Sequence, residues 1–295
     1  MEKDFLFFNY SWVWGSTTYF KYFETMGHTI DIIDENTINN FQPIHNYKNI
    51  VLYLHEGNTI PLTDKIIDHY KDSFLIQHDD TDEEQLQVWS LKKPNLYMQR
   101  ELTNDTIINT QSPVIPFHFP MNSIYDKNLN EKKIYDVSFI GNMTNRKRLP
   151  FVDHIIKLSQ NELSHLNWFI DVKGSNNKPG QPTENFKSVI NQSKIGLHYF
   201  GNSYDSIRIW EILSCKTALL MPKMKSLSVS SNGIPLNEYV IFKDDFTDLK
   251  EKILFLLEDE KWKKIAEMGH NAYNEHNVEK CCNYYYNQVM KYCKK

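Results

Sequence analysis

The sequence lacks most of the features that take a chain out of the ordinary globular class. No apolar stretch approaches the ~20 residues that a membrane span needs. The opening MEKDFLFFNYSW has no basic segment leading into a long apolar one, so it does not read as a signal peptide. Cysteine is scarce: Cys215, Cys281, Cys282 and Cys293 are all there is. None forms a C-x-x-C pair, and the adjacent Cys281 and Cys282 are poorly placed for a mutual disulfide or a zinc knuckle. Free thiols in a reducing, cytoplasmic compartment are the expectation. Charge of one sign is missing as well. With 33 basic and 37 acidic residues the formal net charge is -4, which excludes a global basic field for nucleic acid but leaves room for a local basic patch.

What is present is a chain of 295 residues, 41% hydrophobic and 14% aromatic, long enough for two α/β domains of roughly 100–150 residues each. Apolar runs of strand length alternate with helical patterns from the start. Phe5 to Asn9 reads as a buried strand, Tyr19 to Met26 as a helix closed by Gly27, and Thr29 to Asp34 as the next strand. Strands at Asn49 to Leu54, Phe74 to Gln77 and Asn95 to Gln99 follow, with a helix from Pro61 to Tyr70. Such alternation predicts parallel sheets with right-handed crossovers. Pro113, Pro116 and Pro120 interrupt any regular element, and a charged stretch follows them. The pattern then restarts at Tyr135, with strands at Tyr135 to Ile140, Asn167 to Val172, Ile195 to Tyr199, Thr217 to Met221 and Tyr239 to Phe242. From Phe246 onward the sequence reads as helical. The division expected is 1–120, a linker over 121–133, and 134–295.

In open parallel sheets ligands bind beyond the carboxyl ends of the strands. Two segments there carry chemistry. Gly141 and Asn142 follow a strand and lead to Arg146, Lys147 and Arg148 just before a helix, where free N–H groups meet an anion. No G-x-G-x-x-G and no G-x-x-x-x-G-K-[ST] stands here, which excludes a dinucleotide fingerprint and a P-loop. The second segment runs from Ile195 to Pro222. His198 ends its strand, Tyr204 lies in a Gly/Asn/Ser turn, and Asp205 or Ser206 caps the next helix. Arg208 and Glu211, three apart, share one helix face. They fit a guanidinium for a diphosphate and a carboxylate for ribose hydroxyls, and they equally fit a plain surface ion pair. Ile209, Ile212 and Leu213 form the apolar face.

This ordered set resembles the C-terminal half of GT-B glycosyltransferases, in particular the CgeB-like group within the family 1-type enzymes. The shared features are the strand Asp136 to Gly141 followed by Arg146 or Arg148, the R-x-x-E helix and apolar strand within Arg208 to Leu220, and a helical tail over Leu249 to Tyr286. The resemblance implies two Rossmann-like domains with parallel sheets facing a central cleft. It further implies a nucleotide-sugar co-substrate held by Gly141, Arg146 or Arg148, Arg208 and Glu211, and Asn142, His198, Tyr204, Asp205 and Ser206 are donor-site candidates by their positions at the same strand ends and helix start. In the family, the equivalents of Arg208 and Glu211 contact diphosphate and ribose. No cofactor and no metal are implied, since basic groups and a helix N-terminus stabilise the leaving diphosphate. The chain departs from the family's E-x7-E arrangement: Glu211 is present, but Tyr204 stands seven residues before it.

The acceptor is open among glycan, small molecule, lipid, protein and nucleobase. Trp12, Trp14 and Gly15 follow the first strand and suit stacking on an acceptor. A general base, needed if configuration inverts, is sought at His78 or Asp79, with His55, Glu56 and His118 as further strand-end candidates. Besides a transferase, the sequence admits an inert GT-B-like nucleotide binder and a sugar-nucleotide epimerase.

Overall fold

The structure, a computed structural model, describes residues 2–9, 16–34, 37–53, 60–79, 92–104, 111–118, 131–142, 148–173, 184–201, 204–226 and 238–293. The chain divides into two compact units: unit 1 holds Met1–Pro120, Ser226–Ile234 and Val278–Lys295, and unit 2 holds Met121–Lys225 and Pro235–Asn277.

Unit 1 contains β1 (Glu2–Asn9), α1 (Ser16–Thr25), β2 (Ile30–Asp34), β3 (Asn46–Tyr53), α2 (Ile60–His69), β4 (Phe74–Asp79), β5 (Leu96–Gln99), β6 (Val114–Pro116) and α8 (Val278–Tyr292). Its strands form one sheet in the order β2-β1-β3-β4-β5-β6, parallel throughout. β1 shows why its sequence is apolar without alternation. Phe5 and Phe7 enter one core with Tyr19, Phe20 and Phe23 of α1, whereas Leu6 and Phe8 enter the opposite core with Ile66 and Ile67 of α2. A strand covered on both faces needs apolar residues at every position.

Two expectations change here. Val114–Pro116 is a strand, where the prolines had suggested an interruption. Among the described residues it pairs only with β5, and an edge strand tolerates a residue with no N–H. The tail also differs from the division drawn at residue 134. Cys281, Cys282, Tyr285 and Val289 form an apolar stripe that packs with α1 and β1, which places α8 in unit 1.

Unit 2 contains β7 (Tyr135–Asn142), α3 (Leu149–Gln160), β8 (Trp168–Lys173), α4 (Glu184–Asn191), β9 (Ser193–Leu197), α5 (Ile207–Ser214), β10 (Ala218–Pro222), β11 (Val240–Phe242), α6 (Leu249–Leu257) and α7 (Lys261–Glu275). The sheet order is β11-β10-β9-β7-β8, again parallel. β10 is buried on both faces: Ala218 and Leu220 pack with α3, α6 and Trp262, while Leu219 and Met221 pack with α4, α5 and Tyr273. Among the described residues no helix is long and apolar enough to cross a membrane.

His78, a candidate general base, lies inside the core of unit 1. The rings of Phe117, Tyr53 and Tyr285 stand 4.4, 4.7 and 5.3 Å from it, and its Nδ1 shares a 2.8 Å hydrogen bond with the Tyr285 hydroxyl. The strand-end position suggested a ligand-facing side chain, but on β4 the alternation turns residue 78 inward, under α8. Burial, helped by the nearby Arg100 charge, lowers the His78 pKa from 6.5 to about 3. The unfolded chain therefore takes up this proton first as the pH falls. The stabilising contribution of the neutral ring is complete above pH 6.5 and is lost between 6.5 and about 3. Replacing His78 by Phe should flatten the stability–pH curve in that window by up to about 1.4 kcal/mol per pH unit, measured by denaturant unfolding; an unchanged slope would contradict this placement.

Candidate functional site

The carboxyl ends of β7 and β9 define the site. From β7 the chain goes to β8 on one side, and then returns to β9 on the other. The strand order thus reverses between β7 and β9, the position at which parallel sheets open a crevice for ligands. Gly141 and Asn142 are the last two residues of β7. They stay in the strand, two residues beyond the expected end, because β8 continues beside them through Val172 and Lys173. His198 is the first residue after β9, its N–H donating to the Leu220 carbonyl at 3.0 Å.

Two guanidiniums converge on this crevice. Arg148 precedes α3, and its Nε donates to the carbonyls of Tyr199 and Phe200 at 3.2 and 3.3 Å. Gly201 makes room for it: a Cβ there would stand 2.7 Å from an Arg148 terminal nitrogen. Arg208 comes from α5. Ser206 caps that helix, accepting from the Arg208 N–H at 3.3 Å, and Ile209, Ile212 and Leu213 anchor it in the core. Of the two expected caps Ser206 serves, while Asp205 is buried. The guanidinium of Arg208 lies 3.7 Å over the Phe186 ring and pairs with Glu211 at 2.9 Å. The ion pair allowed by the i,i+3 spacing does form, with Arg208 partly exposed and Glu211 buried at 5% exposure.

Two like charges act on this crevice, and Glu211 balances one of them. Burial lowers the Arg148 pKa and the charge of Arg208 lowers it further. His198 is lowered to about 3, first by burial and then by Arg148 and Arg208. It is therefore a neutral imidazole at physiological pH, and its buried Nε2 has no hydrogen-bond partner among the described residues. Two cations that repel each other in a partly desolvated crevice gain from an anion that neutralises both, and a diphosphate is the bidentate partner that guanidinium geometry favours. Tyr204 stands at the rim, edge-on to Phe200 at 4.8 Å.

Arg148, His198, Tyr204, Asp205, Ser206, Arg208 and Glu211 thus lie in one stretch of unit 2 with the end of β7. Arg146, Trp12, Trp14, Gly15, His55 and Glu56 fall outside the described residues, as does the side chain of Asn142. Asp79 ends β4 and is buried, as is His118. Phe186 and Gly201 were not singled out from sequence. Phe186 gave no signal, because an aromatic on an amphipathic helix looks like any core residue. Gly201 sits in the Gly/Asn/Ser turn, and only the approach of Arg148 shows its use.

Residues 146–285 match the family described as Glycosyl transferase-like. No curated protein sequence matches the chain. Solved structures similar in fold include a sucrose-phosphate synthase from Thermosynechococcus elongatus, at 11% identity and TM-score 0.54, covering 98% of this chain and 99% of that one. AviGT4, a glycosyltransferase involved in avilamycin A biosynthesis, is similar at 10% identity and TM-score 0.53, covering 98% of each chain. The pneumococcal O-GlcNAc transferase GtfA, in complex with UDP and GlcNAc, aligns at 10% identity and TM-score 0.53 over 83% of this chain. This chain spans 57% of the length of GtfA. With two parallel-sheet units and these likenesses, the chain has the GT-B fold, and its residues 146–285 are glycosyl transferase-like in sequence.

Proposed function

We propose that this protein is a glycosyltransferase that moves a hexosyl or pentosyl group from a nucleotide-sugar donor to an acceptor without a bound metal. The observation that carries the reading is the partly buried pair Arg148 and Arg208 at the strand-order reversal of unit 2, each lowering the proton affinity of its surroundings. In this reading the donor diphosphate bridges the two guanidiniums, and neutral His198 offers its Nε2 to a phosphate or to the sugar. Glu211, held beside Arg208, accepts from the ribose hydroxyls. As the glycosidic bond breaks, charge builds on the leaving diphosphate. Fixed guanidiniums in a partly dry crevice stabilise that charge without reorganising, which is the role a metal would otherwise fill. Support for UDP as the nucleotide comes from structures of similar fold: GtfA in complex with UDP and GlcNAc, and Anabaena HepE in complex with UDP, at 8% identity and TM-score 0.52.

The acceptor side of this reading rests on the sequence alone: Trp12, Trp14 and Gly15 come soon after Asn9, the last residue of β1, and lie outside the described residues. Asp79, the last residue of β4, is the general-base assignment that we keep; His78 is enclosed by aromatic rings. An inert nucleotide binder is the second reading, and Tyr204, in the stretch where the family carries a further carboxylate, favours it.

Titrating UDP, GDP, ADP and CMP separates these readings. A nucleotide at 100 times its Kd should stabilise the fold by about 2.7 kcal/mol, and hydrolysis of the matching nucleotide sugar distinguishes enzyme from binder. If no nucleotide moves the thermal transition, the donor-site assignment is wrong. Arg208→Ala should weaken the nucleotide by roughly 1.5–3 kcal/mol, the worth of a charge-assisted hydrogen bond, and leave the protein folded. Gly201→Ala should displace only the flexible end of Arg148. We expect calorimetry to show weaker nucleotide binding, with folding stability within about 1 kcal/mol of the parent; equal affinity would show that Arg148 does not touch the ligand.

A further inference from the structure

The helix that carries Arg208 and Glu211 is short. α5 has eight residues, too few for its own hydrogen-bond ladder to hold it in place. Its orientation is set by what its side chains touch. Trp210 lies between the two site residues on this helix, and its ring stacks on His276 with centroids 3.7 Å apart and planes 2° from parallel. Both rings are buried, at 2% and 1% exposure.

His276 is itself fixed. It closes α7, donating its N–H to the Tyr273 carbonyl at 2.9 Å. α7 lies directly against α5 at Gly269, where a Cβ would stand 2.5 Å from Leu213 Cδ2. Trp210 and Leu213 are three apart, so they share one face of α5, and both meet α7 or its cap. Arg208 and Glu211 are also three apart and share the roughly opposite face of the same helix. Any rotation of α5 about its axis therefore moves the guanidinium and the carboxylate together, and the stacked rings oppose that rotation.

We propose that His276 is a positioning residue: its stack on Trp210 sets the rotation of α5 and thereby aims Arg208 and Glu211. The link to ligand rests on the donor reading above. The full chain tests it with two readouts, hydrogen–deuterium exchange of the 207–214 amides without ligand, and UDP affinity by calorimetry. His276→Ala should speed exchange across α5 about tenfold and weaken UDP about tenfold, since small misplacements are costly in a pre-aligned site. His276→Phe, which keeps a flat ring, should return both to within about twofold of the parent. If His276→Ala does not fold, His276→Leu takes its place, with bulk but no flat face. Unchanged α5 exchange in the Ala or Leu variant overturns the proposal, and so does a Phe variant as impaired as the Ala one. The two readings fail separately. UDP binding with exchange indifferent to His276 removes the stack's role and leaves the donor reading. Exchange that responds while the parent binds no nucleotide keeps the stack's role and removes the donor reading.

Discussion

Two like charges held together in a partly desolvated crevice are the constraint on which the rest of unit 2 depends. Burial and mutual repulsion of Arg148 and Arg208 both oppose the charged state, yet guanidiniums stay protonated at any ordinary pH. The fold offsets the cost locally. Arg148 is satisfied by the Tyr199 and Phe200 carbonyls in a space that Gly201 leaves open. Arg208 is flattened over Phe186 and paired with Glu211. Breaking a partly buried pair by removing one partner is costly, because it leaves a charge uncompensated. Glu211 balances Arg208, and in the proposed donor complex it would also receive the ribose hydroxyls.

The same field explains His198. An exposed imidazole would be half protonated near pH 6.5, but between two guanidiniums and away from water the ring stays neutral down to about pH 3. A protonated ring would add a third cation to the crevice. A neutral one supplies a directional nitrogen at no electrostatic cost. His78 in unit 1 is shifted as far, and for the same leading reason, yet it is enclosed by aromatic rings and bonded to Tyr285. A depressed histidine is thus no marker of a site by itself. Its surroundings decide, and only His198 stands at a strand-order reversal beside paired cations.

Much of the fold was legible because parallel strands covered on both faces must be apolar at every position. β1, β3 and β10 announce themselves as short apolar runs, and the helices between them by their spacing. Elements whose identity depends on partners were not legible. β6 contains Pro116, which reads as a breaker unless the strand is known to lie at an edge. The end of β7 is set by β8 alongside it. The apolar stripe of α8, with Cys281, Tyr285 and Val289, says that the helix packs but not on which unit. In the site, Arg208, Glu211 and Ser206 were readable from i,i+3 spacing and capping chemistry, and Arg148 from its place before a helix. The contacts that give them their geometry, Phe186, Gly201 and the Trp210–His276 stack, come from elements separated in sequence, and no local pattern encodes them. His78 failed for a related reason: a strand end fixes depth along the sheet, whereas the face depends on register.

In the proposed function, the crevice between β7 and β9 holds a nucleotide diphosphate through Arg148 and Arg208. A crystal structure of the full chain grown with UDP tests it most directly. Diphosphate oxygens are expected within about 2.7–2.9 Å of both guanidiniums, as charge-assisted hydrogen bonds require, with the ribose hydroxyls on Glu211. UDP bound elsewhere, or bound here with Arg148 and Arg208 both turned away from the phosphates, would contradict it.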